Sequence, residues 1–483
     1  MNLDRRNSLK LLGGSVVGAY SLAMLGGCET LLEQINNRPV RRSFASLANN
    51  DPIIQAYRAG VAAMKELPGS DRRNWMRQAQ IHADFCPHGN WYFLPWHRAY
   101  LYYFETIIRE LSGYQEFALP YWNWTCQPRI PAPFFDHHEL YDATRNRSRT
   151  DTISQSLTGE AVMSGILNIP DFEAFGSYAS TALRNGSGGG FGELEATPHN
   201  SVHVWVGGNM GSVPIAARDP IFWCHHNMIE RCWWDWNITQ NKPNPSSANW
   251  KNMALNNMFC DHDGNLVDDL KVGFTALYPI FYYQYDDQLL PCGGVTSGLA
   301  TSPRKGEDLR RFLEQGGPAR LQVQERVSAN LPRTLVLKGG ATEEVDLPRQ
   351  AMKMLLHKQR DTQRLVLRVQ NARQLEEQDV FVRLFVNLPA NGNVRSSDNI
   401  HYAGSFAFFG HGEHSHEDAQ GSTFNIDISD TVIKLLKAGV IAEGQPLKVQ
   451  LSSASISDEK AVPKGHVELS GIEILLSEGF EKQ

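Results

Sequence analysis

The histidines constrain this chain more than any other feature. Sixteen are present, and seven of them, six read as inward-facing, fall in three stretches that read as helices with an apolar face. His82, His88 and His97 lie in the first, which runs from Ile81-His82 through Cys86-Pro87-His88 to Pro95-Trp96-His97-Arg98. The second is Pro198-His199-Asn200 followed by Val202-His203 and Trp205, and the third is Asp219-Pro220-Ile221-Phe222 followed by His225-His226. His199 and His203 are four residues apart, so a helix sets them on one face, where they can grip one metal ion. Asp219 before Pro220 predicts a helix start. From there Phe222, His226, Ile229 and Trp233 recur on one face, which aims His226 into the core and His225 elsewhere. His97 opens a similar face with Leu101, Phe104, Glu105 and Ile108. Inward histidines on several helices are how metal sites are built in helical bundles. A lone buried histidine is usually an ordinary hydrogen-bonded core residue, but six in three such contexts are not explained that way. Imidazole ligands suit copper, zinc, iron or nickel alike.

The 483 residues exceed what one core usually covers, so two domains are expected. A net charge of −6 gives no electrostatic argument for a nucleic-acid partner. Aromatic residues crowd between Trp75 and Trp124 and again between Phe222 and Trp236, around the histidines. The spacing of Ile54, Tyr57, Val61 and Met64 predicts a helix over Asp51 to Leu67. Pro131 to Asn185 reads as loop-rich, and Gly186 to Gly190 as a flexible turn region. Gly293 to Glu307 has linker composition. Beyond about residue 320 the pattern becomes period-two: Leu335 to Leu337, Arg364 to Val369, Val380 to Asn387 and Leu447 to Leu451 read as strands, and Ser429 to Gly439 as one helix. The predicted fold class is a mainly α domain, a helical bundle around the metal site, plus a β-rich C-terminal sandwich domain. The expected divisions are 1–28, 29–292, a linker over 293–320, and 321–483.

Arg5-Arg6 followed by an apolar run from Leu11 to Leu25 reads as a twin-arginine export signal, with Ser8 where Phe is usual. Leu25-Gly26-Gly27-Cys28 resembles a lipoprotein cleavage box, in which Cys28 would carry a lipid anchor; the alternative is a plain cleavage site with an incidental cysteine. The expected destination is the periplasm or a membrane-anchored lipoprotein. Among the seven cysteines no CxxC pair occurs, so a zinc–thiolate site is not expected. Cys224 and Cys232 share a predicted helix, where a rise of ~1.5 Å per residue holds them ~12 Å apart, too far to pair. A Cys260–Cys292 pairing is open on sequence alone.

At these residues the chain resembles the type 3 copper proteins, that is tyrosinases, catechol oxidases and hemocyanins, and within them the plant-type polyphenol oxidases. The resemblance runs from about Arg41 to the C-terminus. It is carried by Phe93-Leu94-Pro95-Trp96-His97-Arg98, by Leu119-Pro120-Tyr121-Trp122-Asn123-Trp124, and by the two histidine stretches after residue 198. The resemblance implies two copper ions, the first held by His82, His88 and His97, the second by His199, His203 and His226, with O2 as co-substrate and small phenols as substrates. The family usually has Asp where Glu230 stands, and Glu230 is expected in the same helper role. Cys86 would form a thioether to the ring of His88; the alternative is an ordinary buried thiol. Glu195 and Asn200 match positions that relatives use to hold a water near the coppers, a candidate general base for phenols.

Tyr283-Gln284-Tyr285 resembles the tyrosine motif closing the catalytic domain, and Asp379 to Val382 with Ala403 to Phe406 resembles the C-terminal domain of plant-type enzymes. The resemblance implies a lid that keeps the enzyme latent until displaced, with 293–316 as its vulnerable linker. His411, His414 and His416 read as a solvated polar loop or, alternatively, a copper-delivery patch. The expected function is oxidation of catechols to o-quinones, with some ortho-hydroxylation of monophenols. The rival readings are a hemocyanin-like O2 carrier without turnover and a zinc hydrolase in the same histidine cage.

Overall fold

The computed structural model describes residues 38–286, 289–292, 322–329, 331, 334–339, 342–347, 363–376, 379–395, 397–409, 421–442 and 447–478. The export signal with Cys28, all of the expected linker, and His411, His414 and His416 lie outside the described residues. No helix among the described residues is long and apolar enough to cross a membrane.

The first half is helical. Helix α1 (Pro52–Glu66) starts where Asp51 caps the backbone N–H of Ile53 and Pro52 occupies the first turn, and it buries Ile54, Tyr57, Val61 and Met64, the predicted face. Helix α2 (Trp75–Phe85) is capped by Asn74, whose side chain accepts from Met76 and Arg77 N–H. Helix α3 (Phe93–Ser112) buries His97, Leu101, Phe104, Glu105 and Ile108 along one side and ends at Gly113 in the left-handed conformation (φ 72°), where a Cβ would be strained. Helix α4 (Asn200–Val206) continues from a wide π turn over Glu195–His199 that contains Pro198. Pro198 has no N–H to give, so the ladder widens there, a local irregularity the four-residue histidine spacing does not announce. Helix α5 (Ile221–Trp234) is buried along its whole length. Asp219 caps it through Ile221 N–H (2.9 Å) and is itself clamped by Arg145 at 2.8 and 2.6 Å. The stretch predicted as loop-rich holds short helices at Gln155–Thr158, Glu160–Asn168 and Phe172–Phe175. They are too short to display a full apolar period, which is why the pattern hid them.

Among the described residues one disulfide joins Cys126 to Cys292. This corrects the Cys260–Cys292 alternative: Cys260 is buried and in hydrogen-bond range of Gln78. Cys224 and Cys232 remain unbridged, as their spacing requires.

Strand β1 (Val40–Arg41) pairs parallel with β2 (Gln284–Tyr285) in the first half; the second half is a β-sandwich. One antiparallel sheet has the order β5-β10-β7-β8, where β5 is Thr342–Leu347, β7 Phe381–Val386, β8 Tyr402–Ala407 and β10 Leu447–Ala454. The other runs β3-β12-β6-β11-β4, with β9 (Ser422–Asp427) also on β6; here β3 is Gln322–Ser328, β4 Leu335–Leu337, β6 Gln363–Leu375, β11 His466–Leu469 and β12 Gly471–Glu478. Leu365, Leu367 and Val369 on β6 pack in the sandwich core with Val382, Leu384 and Val386 on β7. Alternate residues face the other way. Val366, Phe381, Ala407 and Leu475 join the core of the helical half instead. Period-two strands thus serve two cores, and the two halves share an apolar seam. Helix α6 (Ser429–Lys437) matches its predicted position.

Candidate metal centre

Four helices, a loop and a π turn bring the six histidines together. His82 comes from the last turn of α2, His88 from the following loop, and His97 from the second turn of α3. Their ring centroids form a near-equilateral triangle of 5.5, 5.6 and 5.6 Å. His199 from the π turn, His203 from α4 and His226 from α5 form a second triangle of 4.6, 5.0 and 5.2 Å. The triangles meet where His97 stacks on His226 at 4.3 Å. Phe93 and Phe222 wedge between them, Phe93 within 4.8 Å of His97 and 4.7 Å of His199, Phe222 within 4.8 Å of His82 and 4.2 Å of His226.

The rings are oriented by their Nδ1 atoms. His82 Nδ1 lies 2.8 Å from the carbonyl of Val213, His97 Nδ1 2.8 Å from that of Phe93, and His203 Nδ1 2.8 Å from that of Met210. A carbonyl can only accept, so each Nδ1 carries the hydrogen and each Nε2 offers a lone pair inward. His199 Nδ1 is held the same way by Asn200 Oδ1 at 2.8 Å. The Nε2 atoms of His97 and His199 are buried with no hydrogen-bond partner, and His203 Nε2 faces His226 Nε2 at 3.1 Å. Burial holds the imidazoles neutral: His199 is pushed down to about 3, and His97, His203 and His226 well below their ordinary value. Neutral imidazoles with inward lone pairs are what a soft-to-borderline cation needs, so the residues fit copper. The ligand atoms of His82, His97 and His226 lie within 4.8 Å of one another, as do those of His199, His203, His225 and His226.

His225 differs from expectation. It does not point elsewhere; it is fully buried, with its ring 4.7 Å from His203. Its Nδ1 accepts from Trp124 Nε1–H at 3.2 Å. Indole can only donate, so in neutral His225 the hydrogen sits on Nε2, the opposite tautomer from His97 and His203. No sequence signal points to this Trp124 contact, because it joins residues about a hundred positions apart.

Around the histidines the remaining named residues fall into place as follows. Cys86 Sγ lies 3.5 Å from His88 Nδ1. Glu195 is fully buried; its carboxylate accepts the backbone N–H of Gly89 at 2.9 Å and the hydroxyl of Ser177. Burial raises its pKa to about 8. Asn200 is also fully buried, one residue from His199. Glu230 accepts from Arg98 Nε at 2.9 Å and from the Tyr283 hydroxyl, with the Arg98 guanidinium 3.3 Å over the Trp233 ring. Arg41, Glu105, Asn227 and Tyr285 extend this buried polar layer beneath α3 and α5.

Phe409, which sequence reasoning did not single out, reaches into the centre from the C-terminal half. Its ring stacks on His203 at 3.9 Å and stands edge-on to His88 and His199, both at 5.6 Å. The available signal was the Phe406-Ala407-Phe408-Phe409 run, an apolar strand end with no obvious core to fill.

A helical domain with two triangles of buried neutral histidines, capped by a β-sandwich, defines a class of protein whose buried histidine cluster is suited to holding metal. Comparison with known proteins narrows the class. The profile of the common central domain of tyrosinase matches residues 61–167 and 135–239, and a domain of unknown function matches 323–469. A tyrosinase from Hahella sp. is 29% identical over 470 residues, covering 84% of this chain and 94% of that protein. (+)-Larreatricin hydroxylase of Larrea tridentata is 32% identical over 268 residues, 46% of each chain. The fold matches that of latent apple tyrosinase with a TM-score of 0.66 at 23% identity, over 91% of this chain and 97% of that one. The chain therefore belongs to the type 3 copper superfamily of tyrosinases and catechol oxidases, and carries a C-terminal domain of the kind seen in the latent forms. It spans about half the length of the plant relatives it matches.

Proposed function

We propose that this protein is a dicopper phenol oxidase, kept latent by its C-terminal domain. The observation that carries the reading is the pair of histidine triangles whose oriented rings turn lone pairs into one buried space. His82, His88 and His97 would hold the first copper and His199, His203 and His226 the second. The tautomer set by Trp124 favours His226 over His225 as the sixth ligand. When bound, the two coppers supply the two-electron exchange with O2. Two catechols then reduce one O2 to two waters, and each leaves as an o-quinone; a monophenol and one O2 give one o-quinone and one water.

The chain's own residues do the rest. Phe93 and Phe222 fix the rings and exclude solvent. Glu195, beside the loop that carries His88, and Asn200, beside His199, would hold the water that takes the phenol proton. Cys86, with its Sγ 3.5 Å from His88 Nδ1, would bond the His88 ring and stiffen it. Phe409 covers the histidines, which accounts for latency. The N-terminal signal, with or without lipid on Cys28, would export the folded protein.

The test is an absorption spectrum of the copper-loaded protein with hydrogen peroxide, before and after cutting within 293–316, followed by catechol and then tyrosine. A near-ultraviolet band with quinone formation after cutting supports the oxidase. The band without turnover after cutting would instead mean an O2 carrier, and no band with copper bound would refute the ligand set.

A further inference from the structure

Helix α3 carries a second stripe besides its histidine face. Trp96, Tyr100 and Phe104 follow one another at four-residue spacing, so they line one side of the helix. Their rings lead away from the metal centre. Trp96 lies 4.8 Å from the His97 ring and 6.2 Å from that of His82. Tyr100 lies 4.9 Å from Trp96, and Trp223 of α5 lies 4.5 Å from Tyr100. Trp75, the first residue of α2, is 6.2 Å from Trp223, and Phe104 stacks on Trp223 at 3.6 Å. Trp96 and Trp223 are fully buried, and the outer end, Trp75, is 4% exposed. Phe409 sits on the other side of the centre, against His88, His199 and His203.

Core packing does not account for the choice of these residues. Indole carries a donor, and a buried donor without an acceptor costs free energy that a Phe ring would not. Nε1 of Trp96 and Nε1 of Trp223 are both buried with no hydrogen-bond partner among the described residues. Trp75 Nε1, at the outer end, donates to the Arg218 carbonyl at 3.1 Å. What the three indoles and the phenol share, and Phe lacks, is a ring that gives up an electron at the potentials O2 chemistry reaches.

We propose that Trp96, Tyr100, Trp223 and Trp75 form an electron-transfer chain that discharges the metal centre when no phenol can reach it. This rests on the dicopper reading given above. O2 is small enough to enter a centre closed to phenols, so the latent form holds an oxidant with no substrate to reduce it. Trp96 passes an electron inward through the His97 ring, Trp223 refills Trp96 across Tyr100, and Trp75 refills Trp223. A one-electron donor in solution, such as ascorbate, refills Trp75. Four electrons delivered in this way, with four protons from solvent, reduce one O2 to two waters. Tyr100 bridges and does not hold the charge, because its hydroxyl has the Gln78 carbonyl, a poor base, to receive its proton. The N–H groups of Trp96 and Trp223 have no acceptor either, so the charge does not settle there. At Trp75 it does. The N–H has an acceptor, and the exposed Lys65 ammonium, 5.5 Å over the ring, favours loss of that proton once the ring is oxidised.

The experiment treats the intact, copper-loaded chain with hydrogen peroxide in the absence of any phenol. Electron paramagnetic resonance of freeze-quenched samples looks for an indole radical, and peptide mass spectrometry locates the oxidised residues. A Trp75 radical that no donor reduces loses a second electron by the same route and takes up the oxygen of a water, leaving hydroxylated indole and two protons. Hydroxylation is therefore expected at Trp75, with the histidines intact, and ascorbate should suppress it at least fivefold. Trp223→Phe keeps a ring in the stack with Phe104 but breaks the chain. It should lower hydroxylation of Trp75 at least fivefold, move the damage inward to Trp96 and the histidines, and speed the loss of the near-ultraviolet band at least threefold. Met76, 48% exposed and next to Trp75, reports peroxide acting from solution, and its oxidation should be the same in both chains. If Trp223→Phe does not fold, Trp75→Phe takes its place, with the band and the damage to Trp96 as readouts. Equal hydroxylation of Trp75 in the intact and Trp223→Phe chains, or a band equally long-lived in both, overturns the proposal and leaves the dicopper reading standing. A copper-loaded chain with no band removes the oxidant, and both fall together.

Discussion

At the scale of single residues, burial decides which protons the centre keeps. His199, His97, His203 and His226 all have depressed pKa values because desolvation penalises the imidazolium. A depressed value means that their contribution to stability is present above the unfolded histidine value of about 6.5 and is lost as pH falls through the folded values. The metal-free protein should therefore lose thermal stability steadily from pH 6.5 towards 3, as followed by calorimetry, and bound metal should flatten that loss. Glu195 has the opposite sign. Its pKa is raised to about 8 by burial, so its contribution is present below the ordinary glutamate range and is lost as pH rises through 8. In metal-free protein, Glu195→Gln should remove the part of the alkaline decline between pH 5 and 9; an unchanged slope would mean that Glu195 is ionised in the fold.

At the scale of elements, α3 and α5 are held in register by a charge pair they bury completely. Arg98 and Glu230 are 0% and 2% exposed, and neither can turn to water when its partner is removed. Glu230→Gln should cost about 3–5 kcal/mol, the usual consequence of leaving one buried charge without its counterion. Adding Arg98→Met should restore much of it, which a two-variant thermal denaturation cycle would read. A smaller effect belongs to the Cys126–Cys292 bridge. It ties residues 166 positions apart, and its reduction should cost about 2–4 kcal/mol, the usual worth of such a bridge. Cys292→Ser should lower the melting temperature accordingly without changing the histidine triangles. The sequence offered no way to choose this pairing, because a bridge across so long a loop depends on where both chain segments end in space.

At the scale of the whole molecule, the seam between the halves carries titratable groups as well as apolar ones. Glu193 accepts the backbone N–H of Asp427 at 2.7 Å, and Arg364 stands 3.9 and 3.8 Å from Asp427 and Asp430. Asp171, beside Glu173 and Tyr178 on its own side and facing Asp427 and Arg364 across the seam, is pushed up to about 6 by burial and by Asp427; burial likewise raises Glu193 and Asp427. Raised values mean that these carboxyls favour docking while protonated and oppose it as pH rises. A linker-cut chain should hold its C-terminal half more tightly at pH 5 than at pH 7, as measured by sedimentation, and Asp171→Asn should reduce the difference.

The sequence by itself determined the parts whose signal is local. The periodic apolar positions of α1, α3 and α5 placed their buried faces, and the alternating runs placed β4, β6, β7 and β10, because side-chain burial repeats with the backbone's own period. His97, His199, His203 and His226 could be singled out for the same reason, since spacing and helical phase aim them; His82 and His88 joined the set through the resemblance to the type 3 copper proteins. Tertiary structure alone decided what depends on distant chain segments meeting. Trp124 reverses the tautomer of His225, Cys292 finds Cys126, Ser177 and Gly89 close on Glu195, and an edge strand from the second half brings Ala407 to Asn200 and Phe409 to His203. These contacts have no period in the sequence, so only the packed chain could specify them.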